Sequence, residues 1–170
     1  MDAMTATVTI RLVAPKEYAD AGRLTAGAYR HSYPGLNEDY LHSLADVEGR
    51  VAQGEVWVAV DGDELVGTVW MPRPGERLSP LASEGEIDFR QLAVAPSARG
   101  RGVGEALTRH VLALARARGA HRVVMNSDEE MVGAHALYLK LGFHRLPERE
   151  HPVEVAPGRF LDLLAFGIDL

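Results

Sequence analysis

The segment LAVAPSARGRGVGEALTRH, Leu92 to His110, passes from an apolar run through Gly100, Gly102 and Gly104 into an amphipathic helical pattern, with Arg99 and Arg101 set among the glycines. A glycine-rich strand-to-helix turn aims several backbone N–H groups at one spot, at the positive end of a helix. That is an anion site, and phosphate is its usual occupant. Glycine matters there because a Cβ would hold the phosphate off the amides or forbid the φ required. The dinucleotide fingerprint G-x-G-x-x-G fails, since Glu105 stands where the third glycine belongs, and a P-loop fails because no Gly-Lys-Ser/Thr follows. The spacing present is Arg99-x-x-Gly102-x-Gly104, directly after QLAVAP and directly before the helix. The two arginines have no packing purpose at such a junction and are read as part of the anion site.

The charge distribution agrees with a single anionic partner. The chain of 170 residues carries a net charge of -6, which speaks against general nucleic-acid binding. Between Arg99 and Arg122, however, six arginines face one acid, Glu105, a local +5 that leaves -11 for the remainder. The composition, 46% hydrophobic and 25% charged, is that of an ordinary globular protein. With no cysteine, neither disulfides nor thiolate metal sites are available. The start MDAMTATVTIRL lacks the basic-then-apolar form of a secretory signal, and no apolar window approaches the roughly 20 residues of a membrane span. The expected location is cytoplasmic, with no membrane partner.

The elements that position the glycine junction can be read from periodicity. Thr7 to Val13 alternates and is β-branched, predicting a first strand; Pro15 opens a helix running to about His31. Pro34 and Gly35 break it, and a second helix is predicted from Asn37, its cap, to Val51. Val56–Val60 and Leu65–Met71 flank Asp61-Gly62-Asp63 as a hairpin. A Pro/Gly/Ser loop leads to one strand over Ile87 to Val94, then a helix from Val103 to Arg118 and a strand over HRVVMNS. Val103, Ala106, Leu107, Val111 and Leu114 form one helical stripe. A helix from about Met131 to Leu141 ends at Gly142, a short strand near Phe143 to Arg145 is expected, and RFLDLLAFGIDL closes the chain as a strand. The expectation is one α/β domain over residues 1–170, a mixed, mostly antiparallel sheet of six or seven strands with about four helices.

LAVAPSARGRGVGEAL, together with ALYLKLGF (Ala136 to Phe143), resembles the GNAT superfamily of acyl-CoA-dependent N-acetyltransferases. The two signatures stand about 35 residues apart and in the family's order. The resemblance implies the family fold over nearly the whole chain and acetyl-CoA, or coenzyme A, as acyl donor, with no metal. It implies that the amides of about Arg101 to Glu105, Gly102, Val103 and Gly104 among them, face the pyrophosphate, and that Arg99 or Arg101 reaches a phosphate with its planar fork. Gly100 belongs to the same turn. The backbone of Leu92, Ala93 and Val94 would pair with the pantetheine arm as an added strand, which needs a locally unpaired sheet edge. Three residues before Ala134, where many members carry asparagine, this chain has Met131, which can line the pantetheine by apolar contact; Asn126 is out of register.

Acetyl transfer to an amine needs a neutral nucleophile, stabilisation of the developing oxyanion and a proton for the departing thiolate. A lysine-like amine, with a pKa of about 10.4, must lose a proton first. Glu86 and Asp88, two apart and so on one strand face, are the candidate bases, and Asp88 stands where family members often carry a carboxylate. Tyr138 of the second signature is the candidate proton donor to sulfur, and a backbone N–H near Leu92 the oxyanion donor. Tyr29, His31, Tyr33, Tyr40, Trp57, Trp70 and Met71 are the aromatic or soft residues of the acceptor region. His110 and His121 are placed to assist phosphate, and the seven histidines show no metal spacing. No serine sits in a nucleophile setting, so direct attack in a ternary complex is expected. The acceptor, a small-molecule or peptide amine, is not specified, and subunit pairing as a homodimer is one arrangement the family implies. The competing readings are a non-catalytic coenzyme A-binding or regulatory module, transfer of another acyl group, and a nucleotide-binding α/β protein.

Overall fold

The computed structural model describes residues 7–170; the Met1–Ala6 part of the N-terminal reading above lies outside them. The strongest local signal, the hairpin, forms as β2 (Glu55–Asp61) and β3 (Glu64–Met71), with β1 (Thr9–Leu12) antiparallel on β2. Valines at alternate positions make one face of β2 apolar, and Trp57 and Ala59 make the other apolar as well. Val56 and Val58 pack with Ala21 of α1 (Tyr18–Ser32) and Val47 of α3 (Val47–Gln53). On the other face Ala59, Val66 and Val69 meet Val103, Leu107 and Val111 of α4 (Val103–Ala117), each buried apolar side chain contributing about 1.5–3 kcal/mol. A Cβ at Gly67 would stand 2.8 Å from Leu107 and 2.9 Å from Val103, so the glycine lets α4 lie directly on β3.

Two predicted elements are divided. The helix expected over Asn37 to Val51 is α2 (Glu38–Ala45) followed by α3. Asn37 caps α2 through the Tyr40 N–H, as expected, but Asp46 stops that helix and its carboxylate accepts from the Gly49 N–H to start the next. The buried Arg50 guanidinium donates to the freed Ser43 and Leu44 carbonyls at the end of α2.

The strand expected over Ile87 to Val94 is likewise two. β4 (Glu86–Asp88) runs parallel to β6 (Arg122–Asp128), whereas β5 (Arg90–Val94) runs antiparallel to β3. Only Phe89 separates them, yet they belong to different sheets: β1-β2-β3-β5, and β4-β6 continued by β9 (Arg159–Asp169) and β7 (His144–Arg145). The pairing of β5 with β3 slips between Thr68 and Trp70, and Gln91 sits at φ 54°, so a bulge turns the chain out of one sheet and into the other. Beyond Phe89 the two sheets part, and α5 (Val132–Lys140) lies beside the gap.

The second sheet contains β9 (Arg159–Asp169) paired with β6, with the short β7 (His144–Arg145) and with β8 (Pro152–Ala156). β8 has no counterpart in the sequence reading. It forms a hairpin with β9 in which Gly158, at φ 74°, donates its N–H to the Glu154 carboxylate. The expected single mixed sheet is therefore a pair of splayed sheets, with nine strands and five α-helices among the described residues.

Candidate active site

The parting of β5 from β6 opens a cleft of about 760 Å³. One wall is the β5 edge at Leu92, Ala93 and Val94; the facing wall is Met125, Asn126 and Ser127 of β6. Among the described residues β5 has β3 on one side and no strand of its sheet on the other, which leaves the locally unpaired edge that an added strand requires. The bulge leaves Gln91 and Leu92 outside the cross-strand register, which resumes at Ala93 with Thr68.

At one end of the cleft stands the glycine turn. Gly100 and Gly102 hold φ of 76° and 80°, the left-handed region that disfavours any Cβ, and Gly102 caps α4 with no side chain bonded to the helix end. Within the described residues the N–H groups of Val103, Gly104 and Glu105 have no acceptor, the first helical bond being Ala106 N–H to Gly102 O. These free donors point to an anion. Glu105 does not oppose one, because its carboxylate is bonded to Arg109 at 2.8 Å and Lys140 at 3.1 Å, which hold its pKa below the usual range. Arg99 bonds Ser32 Oγ across the cleft wall. Arg101 departs from expectation: it has a structural partner, Asp61 in the hairpin turn at 2.6 Å, so it ties the glycine turn to β2–β3 and leaves the cleft to Arg99.

At the other end Tyr138, only 3% exposed, packs edge-on against Phe89 at 6.0 Å between ring centroids and also touches Phe143 and Phe166. Burial pushes its phenol well above the ordinary value, so the hydroxyl keeps its proton and acts as a donor. Met131, which caps α5, and Ala134 and Leu137 within it also line the cleft, as do Tyr29 of α1 and Tyr33 just after that helix.

The chain that builds this site is similar to known proteins. The family model described as Acetyltransferase (GNAT) family matches residues 21–143. The chain belongs to the GNAT acetyltransferase family. It is 37% identical over 89 residues to N-acetyltransferase 8B of Rattus norvegicus, covering 52% of this chain and 39% of that protein. The chain spans about two fifths of the length of that relative and of other N-acetyltransferases it matches. Among solved structures, a GNAT-family acetyltransferase from Staphylococcus aureus Mu50 superposes with a TM-score of 0.74 at 14% identity, over 96% of this chain and 99% of that one. An acetyltransferase from Salmonella typhimurium, solved with its cofactor acetyl-CoA, superposes with a TM-score of 0.67 at 23% identity, over 96% and 94%. Both likenesses show the fold.

In this GNAT domain the carboxylates expected to serve as bases lie off the cleft. Asp88 is buried and accepts from the Leu78 N–H at 2.8 Å and Ser79 Oγ at 2.9 Å, anchoring the loop before β4. Glu86 accepts the Arg149 fork at 2.5 and 2.9 Å and the Ser83 N–H at 2.8 Å, with Arg122 at 3.7 Å. Burial alone would raise its carboxyl; the arginines and the amide overcome this and hold it below the usual carboxylate range. Because the folded-state pKa is depressed, the ion pair's stabilisation is present at neutral pH and is lost as pH falls through the carboxylate range, below about 4.3. Glu86→Gln is expected to lower stability at pH 7 by about 3 kcal/mol, measured by urea unfolding, by leaving Arg149 unpaired. Turnover of the folded variant should change less than about twofold; a hundredfold loss would return Glu86 to the chemistry.

Other assignments also move. Tyr29, His31 and Tyr33 line the cleft, as expected for the acceptor region, but Trp57 packs on His110 at 4.5 Å and Trp70 donates to the Arg50 carbonyl. Met71 is wholly buried. His110 thus belongs to the far side of α4, and His121 abuts Gly85; neither faces the glycine turn. The sequence analysis does not find one pairing: His135 Nε2 lies 3.2 Å from the Oγ of Ser127, which lines the cleft. No spacing signal marks it, since one residue lies near the end of a strand and the other near the start of a helix. Among the described residues no three His, Cys, Asp or Glu side chains are grouped to hold a metal, and no helix is long and apolar enough to cross a membrane.

Proposed function

We propose that this GNAT domain transfers the acetyl group of acetyl-CoA to a primary amine by direct attack in a ternary complex. The observation that carries the reading is the convergence of three free α4 amides and the unpaired β5 edge on Tyr138. The Val103, Gly104 and Glu105 amides, with Arg99 beside them, would hold the diphosphate, since they supply donors and positive potential with no Cβ at Gly100, Gly102 or Gly104 to fill the space. The backbone at Leu92 and Val94 would hold the pantetheine arm, with Met131 and Ala134 against it. Bound there, acetyl-CoA supplies the activated acetyl group. The Leu92 N–H, outside the β5–β3 register, is the donor for the carbonyl oxygen as charge develops on it. Tyr138, kept protonated by burial, donates to the departing sulfur. The acceptor enters past Tyr29, His31 and Tyr33.

The reading is tested by following free thiol while the protein is incubated with acetyl-CoA and a panel of amines, with acetylated products identified by mass spectrometry. Thiol release that depends on both protein and amine is the expected result. Cofactor binding with no release across the panel would instead make the chain a coenzyme A-binding module, and release only with longer acyl donors would change the acyl group.

A further inference from the structure

Transfer to an amine requires a group that takes a proton from nitrogen, and the carboxylates at Glu86 and Asp88 are committed outside the cleft. The ionisable side chains that do line it are mostly unsuited. Glu105 is bonded to Arg109 and Lys140, and burial raises the phenols of Tyr29, Tyr33 and Tyr138. Arg90 and Arg99 carry no acceptor atom for a proton. His31 and Glu130, which also line the cleft, are exposed to solvent and have no hydrogen-bonded side-chain partner among the described residues to hold them toward the acceptor.

Resting on the transfer reading above, we infer that Ser127 and His135 form the proton-accepting pair of the reaction, with Ser127 Oγ facing the acceptor nitrogen and His135 holding the proton. Ser127, the penultimate residue of β6, lines the cleft, is only 6% exposed, and has His135 Nε2 at 3.2 Å. Its other acceptor, the Asp128 carbonyl, lies at 3.5 Å, the outer limit of a hydrogen bond, so the hydroxyl is better directed at the imidazole. His135 stands one helical turn before Tyr138 on α5, on the same side of the helix, and both pack on Phe166, at 5.1 and 6.1 Å between ring centroids. Ser127 therefore lines the cleft with Tyr138, and His135 stands behind it on the ring that also backs the tyrosine.

As the acceptor nitrogen bonds to the acetyl carbon, one N–H bond breaks toward Ser127 Oγ while the Ser127 O–H bond breaks toward His135 Nε2. The positive charge that built up on nitrogen ends on the imidazolium, and Ser127 emerges as the hydroxyl it was. His135, only half-buried, then loses the proton to solvent. The arrangement requires a neutral imidazole at rest. Burial pushes His135 below its ordinary value and Arg145 of β7 adds to this, although Arg145 is itself paired with Glu150. The carbonyl and carboxylate of Asp128 on β6 pull the other way and are outweighed; β9 presents the uncharged Phe166.

The test uses the whole chain with acetyl-CoA and whichever amine in the panel turns over fastest. His135→Gln is expected to lower kcat about a hundredfold, with KM for acetyl-CoA within about twofold, and to abolish an acidic limb that in the wild type lies below pH 6.5. Ser127→Ala should lose rate similarly and Ser127→Thr, which keeps the hydroxyl, should recover most of it. A second measurement does not depend on turnover: the imidazole pKa of His135 by NMR should rise in Ser127→Ala, because a donor to neutral Nε2 has been removed. A fall would mean that His135 donates to Ser127 as a structural bond, overturning the pair. Full rate with an unchanged acidic limb in His135→Gln would do the same while leaving the transfer reading intact. A wild-type protein that binds acetyl-CoA but releases no thiol overturns the transfer reading, and the pair's role with it.

Discussion

Gly104→Phe abolishes coenzyme A binding while the fold survives: this is the expected outcome of titrating the variant with coenzyme A in a calorimeter. A Cβ built on Gly104 lies 3.3 Å from Leu137 and 3.6 Å from Val94, both cleft-lining side chains. A benzyl group grown from that position has only the cleft to enter, between the α4 amides and the β5 edge. Blocking two charge-assisted hydrogen bonds of about 2 kcal/mol each weakens binding roughly a thousandfold. Leu137 is a half-buried side chain able to shift, so the melting temperature should fall by only a few degrees. Gly104→Ala, with its single tight contact, should show a small fraction of the loss. Unchanged affinity in Gly104→Phe would mean that the diphosphate binds elsewhere.

Tyr138→Phe should lower kcat about a hundredfold and leave the dissociation constant for acetyl-CoA within about twofold. The split is expected because the ring and the hydroxyl do separate things. The ring fills the space between Phe89, Phe143 and Phe166, and phenylalanine keeps those contacts. The hydroxyl makes no hydrogen bond among the described residues, so its removal leaves no buried partner orphaned and stability should hold. What is lost is a donor kept protonated across the accessible pH range by burial. Steady-state rates on the folded variant check this, and an unchanged kcat would strip Tyr138 of its part in the chemistry.

Much of this molecule was legible residue by residue because the signals concerned were local. The hairpin turn at Asp61-Gly62-Asp63, the apolar stripe of α4 and the glycine that ends α5 each act within a few residues. The Asp46 that divides α2 from α3 was also visible in principle, as a capping residue three before Gly49 in the middle of a helical pattern. Its effect was hidden by Arg50, whose guanidinium satisfies the carbonyls released at the break. The split of β4 from β5 was not visible. Alternation along Glu86 to Val94 tells which side chains share a face, not which strand each half will pair with. Gln91 adopts a left-handed conformation that its side chain does not favour, and only the surrounding packing holds it there.

The same division runs through the candidate site. Arg99-x-x-Gly102-x-Gly104 before an amphipathic helix is enough to place free amides at a helix start, because backbone geometry there depends on the residues themselves. The fate of the titratable side chains depends instead on partners in other elements: Arg101 on Asp61, Glu86 on Arg149, and His135 on Ser127 of β6. A carboxylate or imidazole has no intrinsic role. Its partner and its desolvation assign one, and both are set where strands and helices from distant segments come to rest against each other.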